Sequence, residues 1–367
     1  MTSPREQIER YLRRLADWRG DELTFMEVCG THTVSAARSG LHSLLPRSIR
    51  LISGPGCPVC VTPVSYVDHA LALSKLPEVT IVTFGDLVRV PGSSANGPEK
   101  APPSLAWAKA RGADVKVVYS PLDALELARE LKDRQVVFLS VGFETTTPVI
   151  AAALQQAIDS GIENFSLLTA NKTIIQPLLA LGTSSEIKIH GFLCPGHVSV
   201  VIGSNAYRSL AEIHGIPCAI AGFEPLEMVR AIVALTEQVS QNHPRVDNCY
   251  RAAVRPEGNS KALEVMFKLF EPCDSVWRGI GEISDSGLKL RAEYRKYDAA
   301  QRFKVELPPV LEPLGCRCGD VLRGVISPSR CGLFGKSCTP DSPKGACMVS
   351  SEGSCAAYYQ FRQEDGK

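Results

Sequence analysis

Between about Leu51 and Glu224 the chain repeats one unit, a short apolar run rich in β-branched residues followed by a stretch with helical character. Strands are predicted at Ile49 to Ser53, Val79 to Phe84, Val115 to Tyr119, Val136 to Val141, Phe165 to Thr169, Ile187 to Leu193 and Cys218 to Ala221. Runs that are apolar throughout, rather than at alternate positions, belong to strands buried on both faces, as in parallel sheets covered by helices. Pro121 to Asp133 and Thr147 to Ser160 supply such helices. The architecture is therefore α/β, and seven strands over this span suit two small doubly wound units better than one large sheet. Beyond Gln241 the pattern becomes irregular, broken by Pro244, Pro256, Pro272, Pro308, Pro309 and Pro313. The expected division is an N-terminal helix over 1–20 packing on the C-terminal domain, α/β domains over 21–133 and 134–240, and a C-terminal domain over 241–367. Gly142-Phe143-Glu144 and Gly222-Phe223-Glu224 each follow a strand candidate, so one strand-end chemistry is used twice.

Forty basic residues against thirty-nine acidic ones leave a net charge of +1, which gives no electrostatic case for nucleic acid or an anionic membrane. The N-terminal helix is charged and amphipathic, and no run of eighteen apolar residues occurs, so a soluble, cytoplasmic protein is expected. In a reducing compartment thirteen cysteines point to metal or redox chemistry rather than a disulfide framework. Cys218, Cys249 and Cys273 stand alone and read as simple buried or surface thiols.

Six of the cysteines lie in the last 52 residues, and Cys318, Cys331, Cys338 and Cys355 follow one another with gaps of twelve, six and sixteen residues. Four thiolates suit either a [4Fe-4S] cluster or a structural zinc ion. The spacing matches neither the paired CxxC knuckles of a zinc ribbon nor the compact ferredoxin run, and Cys316 and Cys347 are near enough to substitute.

The remaining unusual motifs fall at strand ends, where open α/β sheets bind ligands. Cys29-Gly30-Thr31-His32 sets a thiol and an imidazole around a glycine turn, Gly54-Pro55-Gly56-Cys57-Pro58-Val59-Cys60 holds a CxxC behind a rigid lead-in, and Cys194-Pro195-Gly196-His197 repeats the theme. A CxxC closes a small disulfide or chelates a metal, and a helix beginning beside it lowers a thiol pKa. Cys29 with His32 reads as a metal pair, a nucleophile or a thiol in a packed turn. Hydrolysis is disfavoured, since no orienting carboxylate or oxyanion hole is apparent locally. Glu144 serves equally as a helix cap or as an acid, base or orienting group, whereas capping is the better reading for Glu224. Asp86 follows a strand in the same way. The Thr145 to Thr147 run lacks the lysine and glycines of a P-loop.

Taken together and in this order, Cys29-Gly-Thr-His32, Gly-Pro-Gly-Cys57-Pro-Val-Cys60, Gly142-Phe-Glu-Thr-Thr, Cys194-Pro-Gly-His197 and the C-terminal cysteine spacing resemble the HypD family of hydrogenase maturation factors, over nearly the whole chain. The resemblance implies two Rossmann-like parallel-sheet α/β domains plus a smaller C-terminal iron-sulfur domain. It implies a [4Fe-4S] cluster on Cys318, Cys331, Cys338 and Cys355, and Cys29, Cys57 and Cys60 as the cleft cysteines that meet Fe(II) carrying CN and CO ligands. It also implies two partners, a HypC-type small chaperone and a HypE-type cyanide donor. On this reading Cys29 supplies a soft thiolate to iron, the Cys57/Cys60 dithiol supplies electrons, and His32 or His197 handles protons or orients a ligand. Glu144 and Cys194 complete the expected catalytic set. Two other classes remain open from the residues alone, an iron-sulfur disulfide reductase and a zinc-stabilised binding scaffold without chemistry.

Overall fold

The computed structural model describes residues 3–93 and 103–362. Eleven strands are present among them: β1 Leu23–Glu27, β2 Ile49–Ser53, β3 Val79–Thr83, β4 Val115–Val117, β5 Gln135–Gly142, β6 Phe165–Lys172, β7 Gly191–Cys194, β8 Cys218–Ile220, β9 Val246–Asn248, β10 Phe270–Trp277 and β11 Gly281–Leu290. They form two sheets in the orders β2-β1-β7-β8-β9 and β10-β11-β6-β5-β3-β4. The first is wholly parallel. In the second, β4, β3, β5 and β6 are parallel, while β11 and β10 extend the edge antiparallel.

Counted within its own sheet, the first order is 2-1-3-4-5, the doubly wound arrangement whose strand order reverses beside the first strand. Crossover helices leave in opposite directions there, opening a crevice beyond the strand ends. That point lies between β1 and β7, whose C-terminal ends carry Cys29 and Cys194. The second sheet repeats the order with β3 and β5 at its reversal, where the chain continues into Asp86 and Glu144.

Neighbouring residues on a strand face opposite layers, and the core follows that alternation. Met26, Ile81, Val137, Leu139, Phe192, Cys218 and Ile220 point into one continuous apolar layer that also takes in Trp277, Cys318 and Cys347. Leu23, Phe25, Leu193 and Ala219 face outward beneath the helix Pro225–Ser240. Val82, Val136 and Phe138 face a third layer under the helix Thr147–Asp159.

Three expectations need correction. The boundary between 133 and 134 does not divide the sheets, because the chain builds β1 and β2, crosses to lay down β3 to β6, returns for β7 to β9, and crosses again for β10 and β11. Strand propensity reports burial and says nothing of which strand will be the neighbour. The segment 241–367 is likewise not one unit, since β9 completes the first sheet and β10 and β11 extend the second, leaving 304–362 as the cysteine-bearing part. The N-terminal helix, Pro4–Ala16, opens on a Ser3 and Glu6 capping box. Instead of packing on the C-terminal part, it buries Leu15 in the outer layer of the first sheet, and Arg14 pairs with Glu237 of the helix Pro225–Ser240. No helix among the described residues is long and apolar enough to cross a membrane.

Candidate redox and metal site

Cys29 is the last extended residue after β1 and caps the helix Gly30–Arg38. Cys57 does the same after β2 for the short helix Pro58–Val61, where its Sγ accepts the Cys60 N–H at 3.1 Å. Because β1 and β2 are adjacent and parallel, the two turns emerge side by side. They are stitched together by Gly54 N–H to Glu27 O at 2.8 Å and Gly30 N–H to Gly56 O at 3.1 Å. Only glycine permits this approach, since a Cβ on Gly56 would lie 2.2 Å from Cys29 N and 2.4 Å from its Cα. Cys57 and Cys60 are joined as a disulfide.

Burial pushes the Cys29 thiol up to about 12; Glu352 and Glu27 add to the rise, and the backbone N–H groups of His32 and Thr31 oppose it. At neutral pH it is a protonated thiol that becomes a thiolate only when a cation takes the place of its proton. Glu27 beneath it is fully buried, and its Oε2 accepts the Cys29 N–H at 3.2 Å. Desolvation raises this carboxyl to about 8 against the opposing hydrogen bonds of Thr33, Ser53 and Cys29.

His32 is also fully buried, with Nε2 placed 2.8 Å from Gly222 O. A carbonyl only accepts, so Nε2 carries the hydrogen, and Nδ1 is left without a partner. Burial pushes its pKa down to about 4, so the ring is neutral at pH 7 and suits orientation better than proton exchange. His32 and exposed His197 lie on the Phe223 ring, with centroids at 4.8 and 4.0 Å. Two loops of the first sheet thus meet on the Gly222-Phe223 turn after β8. Glu224 caps the next helix through a box with Glu227, as its sequence position suggested. Cys194 lies in the core instead, fully buried with its Sγ 3.7 Å from Phe192 O and Cys218 beside it.

Glu144 caps nothing in its own helix. Its Oε1 accepts the Ile174 N–H at 2.9 Å, Oε2 has no partner, and burial raises the carboxyl to about 7. It sits at the reversal point of the second sheet, just beyond β5, whose residues pack in the same apolar layer as Cys57 and Cys60.

The six C-terminal cysteines, 316, 318, 331, 338, 347 and 355, line one small cavity together with Leu333, Phe334 and Met348. Cys318 Sγ and Cys347 Sγ stand 2.7 Å apart, and Lys344 donates its N–H to Cys338 Sγ at 3.4 Å. Among the described residues no three His, Cys, Asp or Glu groups converge closely enough to hold a single metal ion. The donor set of an iron-sulfur cluster, all thiol and walled by apolar side chains, fits this cavity. All four cysteines singled out by spacing belong to it, as do Cys316 and Cys347.

The same segment closes over the strand ends. Ser350 and Ser351 donate hydroxyls to Asp86 at 2.8 and 3.2 Å, and Thr31 donates to Glu352 at 3.0 Å. A Cβ on Gly30 would strike the Glu352 side chain at 2.4 Å, so the cysteine-bearing segment rests directly on the Cys29 turn. Glu27, Glu352 and Arg278 were not foreseen as site residues. For Glu27 a signal existed, a carboxylate inside an otherwise apolar strand two residues before Cys29; Glu352 and Arg278 arrive from distant segments with no local mark.

Comparison with known proteins agrees along the full length. A family model described as HypD, Hydrogenase formation hypA family, matches residues 5–362. The chain is similar to the hydrogenase maturation factor HypD of Rhizobium leguminosarum bv. viciae, with 45% identity over 363 residues covering 97% of this chain and 92% of that protein. The corresponding factor of Rhodobacter capsulatus is 45% identical, with 95% and 93% covered, and that of Escherichia coli K12 is 44% identical, with 94% and 91% covered.

Proposed function

The chain belongs to the HypD hydrogenase-formation family and is a hydrogenase maturation factor; from that premise we propose that it is a cytoplasmic scaffold on which iron receives cyanide and carbon monoxide. A HypC-type small chaperone shares the iron, and a HypE-type donor delivers cyanide. The observation that carries this reading is the pairing of two turns, one holding the protonated Cys29 thiol and the other the Cys57–Cys60 disulfide, joined through Gly30 and Gly56. A metal-binding sulfur and a two-electron couple therefore share one wall.

Iron is the cargo. Fe(II) displaces the Cys29 proton, and the resulting thiolate is the soft ligand that low-spin iron with strong-field partners prefers. The neighbouring Glu27 carboxyl, neutral below about pH 8, holds the Cys29 N–H without adding a second negative charge there. Cyanide arriving as a thiocyanate is released by the reduced Cys57/Cys60 dithiol. Two S–H bonds are lost, one S–S bond forms, the donor sulfur leaves as a thiol, and cyanide passes to iron with release of one proton. That step would leave the pair as a disulfide, the form in which Cys57 and Cys60 are joined. Cys318, Cys331, Cys338 and Cys355 would hold a [4Fe-4S] cluster, which when bound supplies electrons singly, as reopening the disulfide requires. Neutral His32 keeps the Gly222 turn against the helix that Cys29 caps, and exposed His197 faces the opening.

Infrared spectroscopy of the anaerobically purified complex with the chaperone tests the reading. Cyanide and carbon monoxide bands are expected for the parent and are expected to vanish in Cys29→Ala. Full bands in that variant overturn the ligand role. Steady reduction of a protein disulfide with no diatomic bands from the parent would instead establish a disulfide reductase.

A further inference from the structure

The tip of the β10–β11 hairpin reaches out of the second sheet and wedges between the CxxC turn and the cysteine cavity. Trp277 anchors it, fully buried, stacked on Phe143 with centroids 5.8 Å apart and donating Nε1–H to Ser286 Oγ at 2.8 Å. Arg278 follows, with only 2% of its side chain exposed. Its backbone N–H donates to Val61 O at 2.8 Å and its Nε–H to Thr62 O at 2.9 Å, which are the carbonyls that end the Cys57–Cys60 turn. On the other side, Gly279 takes a φ of +74° and packs backbone to backbone on Gly319, the residue after Cys318. Glu312, the carboxylate that pairs with Arg278, stands 3.8 Å from Nη1 and is 58% exposed to solvent, so its compensation is screened. Nη2 is buried with no partner at all. An unsatisfied donor on a buried cation is costly and implies an anionic partner.

We propose that Arg278 is a positioning residue that couples the dithiol to the cysteine cavity, clamping the end of the CxxC turn while its buried, unpaired Nη2 supplies an uncompensated positive charge next to the Cys318 segment on which Gly279 packs. The inference rests on the cluster reading above and adds to it a charge that favours the more negative, reduced form.

The test compares the full-length parent, Arg278→Gln and Arg278→Lys after anaerobic reconstitution, measuring iron and acid-labile sulfide and then the reduced fraction by EPR at fixed potentials. Loss of one buried charge is expected to lower the reduced-to-oxidised ratio of Arg278→Gln about tenfold, a shift of about 59 mV for one electron, with Arg278→Lys close to the parent. Full iron and sulfide in Arg278→Gln with an unshifted ratio overturns the proposal, as does an equal shift in Arg278→Lys. If Arg278→Gln fails to load while Arg278→Lys loads with the parental ratio, the charge is confirmed as the requirement. Failure of both variants to load, with melting unchanged, makes Arg278 a loading residue and also overturns it. A parent without iron or sulfide sinks the cluster reading itself, which is a separate result.

Discussion

Replacing Gly56 by alanine adds one methyl group where the Cys29 and Cys57 turns touch. The new Cβ would stand 2.2 Å from Cys29 N, 2.4 Å from Cys29 Cα and 2.5 Å from Val28 C, all backbone atoms with no rotamer to escape into. Carbon contacts are comfortable only from about 3.5 Å, so the turns must part by roughly 1 Å. That movement stretches the 3.1 Å bond from Gly30 N–H to Gly56 O past useful range. Overpacking costs about 1–3 kcal/mol and the lost bond about 1 kcal/mol, so a destabilisation of about 2–4 kcal/mol is expected. The functional loss should be larger in proportion. A displacement of about 1 Å between reacting groups reduces rates on the order of a hundredfold, while the Cys57–Cys60 pair, lying wholly within one turn, should still oxidise normally. The assays are thermal melting, alkylation mass spectrometry of the pair, and the rate at which cyanide bands appear. Gly85→Ala is the control, since its Cβ meets nothing nearer than Val117 Cγ1 at 3.8 Å. If Gly56→Ala melts with the parent and builds the bands at the parental rate, the stitched turns are not the site.

Glu27→Gln should change how stability depends on pH. A buried carboxyl raised from 4.5 to about 8 favours folding fully below pH 4.5 and loses that advantage as pH rises to 8, about 1.4 kcal/mol per unit and on the order of 5 kcal/mol in all. The variant's stability relative to the parent should therefore climb between pH 5 and 8 and level off above; a difference that is flat in pH would refute the buried acid. Serine in place of Cys318, Cys331, Cys338 or Cys355 should each lower bound iron and acid-labile sulfide, while Cys316→Ser and Cys347→Ser should retain them; the reverse pattern would reassign the ligands within the same cavity. Asp86→Asn weakens the acceptor of the Ser350 and Ser351 hydroxyls and should speed amide hydrogen exchange at 350–352, at a cost of about 1–2 kcal/mol; unchanged exchange would mean that segment is held elsewhere.

The strand pattern was legible where burial was complete on both faces. Ile49–Ser53 is a strand at the expected bounds, and Val79–Thr83 and Phe165–Lys172 differ from expectation only at their ends. β1 was missed because its five residues include Glu27, which reads as polar although the fold buries it. β7 is shorter than its apolar run, because residues before Gly191 serve as a loop. The cysteine motifs stood out in the sequence because few residue types suit metal or redox chemistry. The carboxylate of Glu352 and the guanidinium of Arg278 could not, since each reaches its place from a different part of the chain. The Gly-Phe-Glu echo marks strand ends at different places in the two sheets and with unlike duties, Glu224 capping a helix and Glu144 bound to Ile174.

The crossing of the chain between sheets also sets the order in which the protein is completed during synthesis. β1 and β2 are made before the other strands and can pair only with each other, while the second edge of β1 waits for β7, more than 160 residues later. Throughout that interval the first sheet is a two-strand fragment with an open apolar edge, and such edges invite wrong pairings. The second sheet, by contrast, can assemble its four parallel strands β3 to β6 from one continuous stretch before β7 appears, and gains β11 and β10 only afterwards. The surroundings of Cys29, which include β7 and the segment carrying Glu352, are therefore completed only late in synthesis.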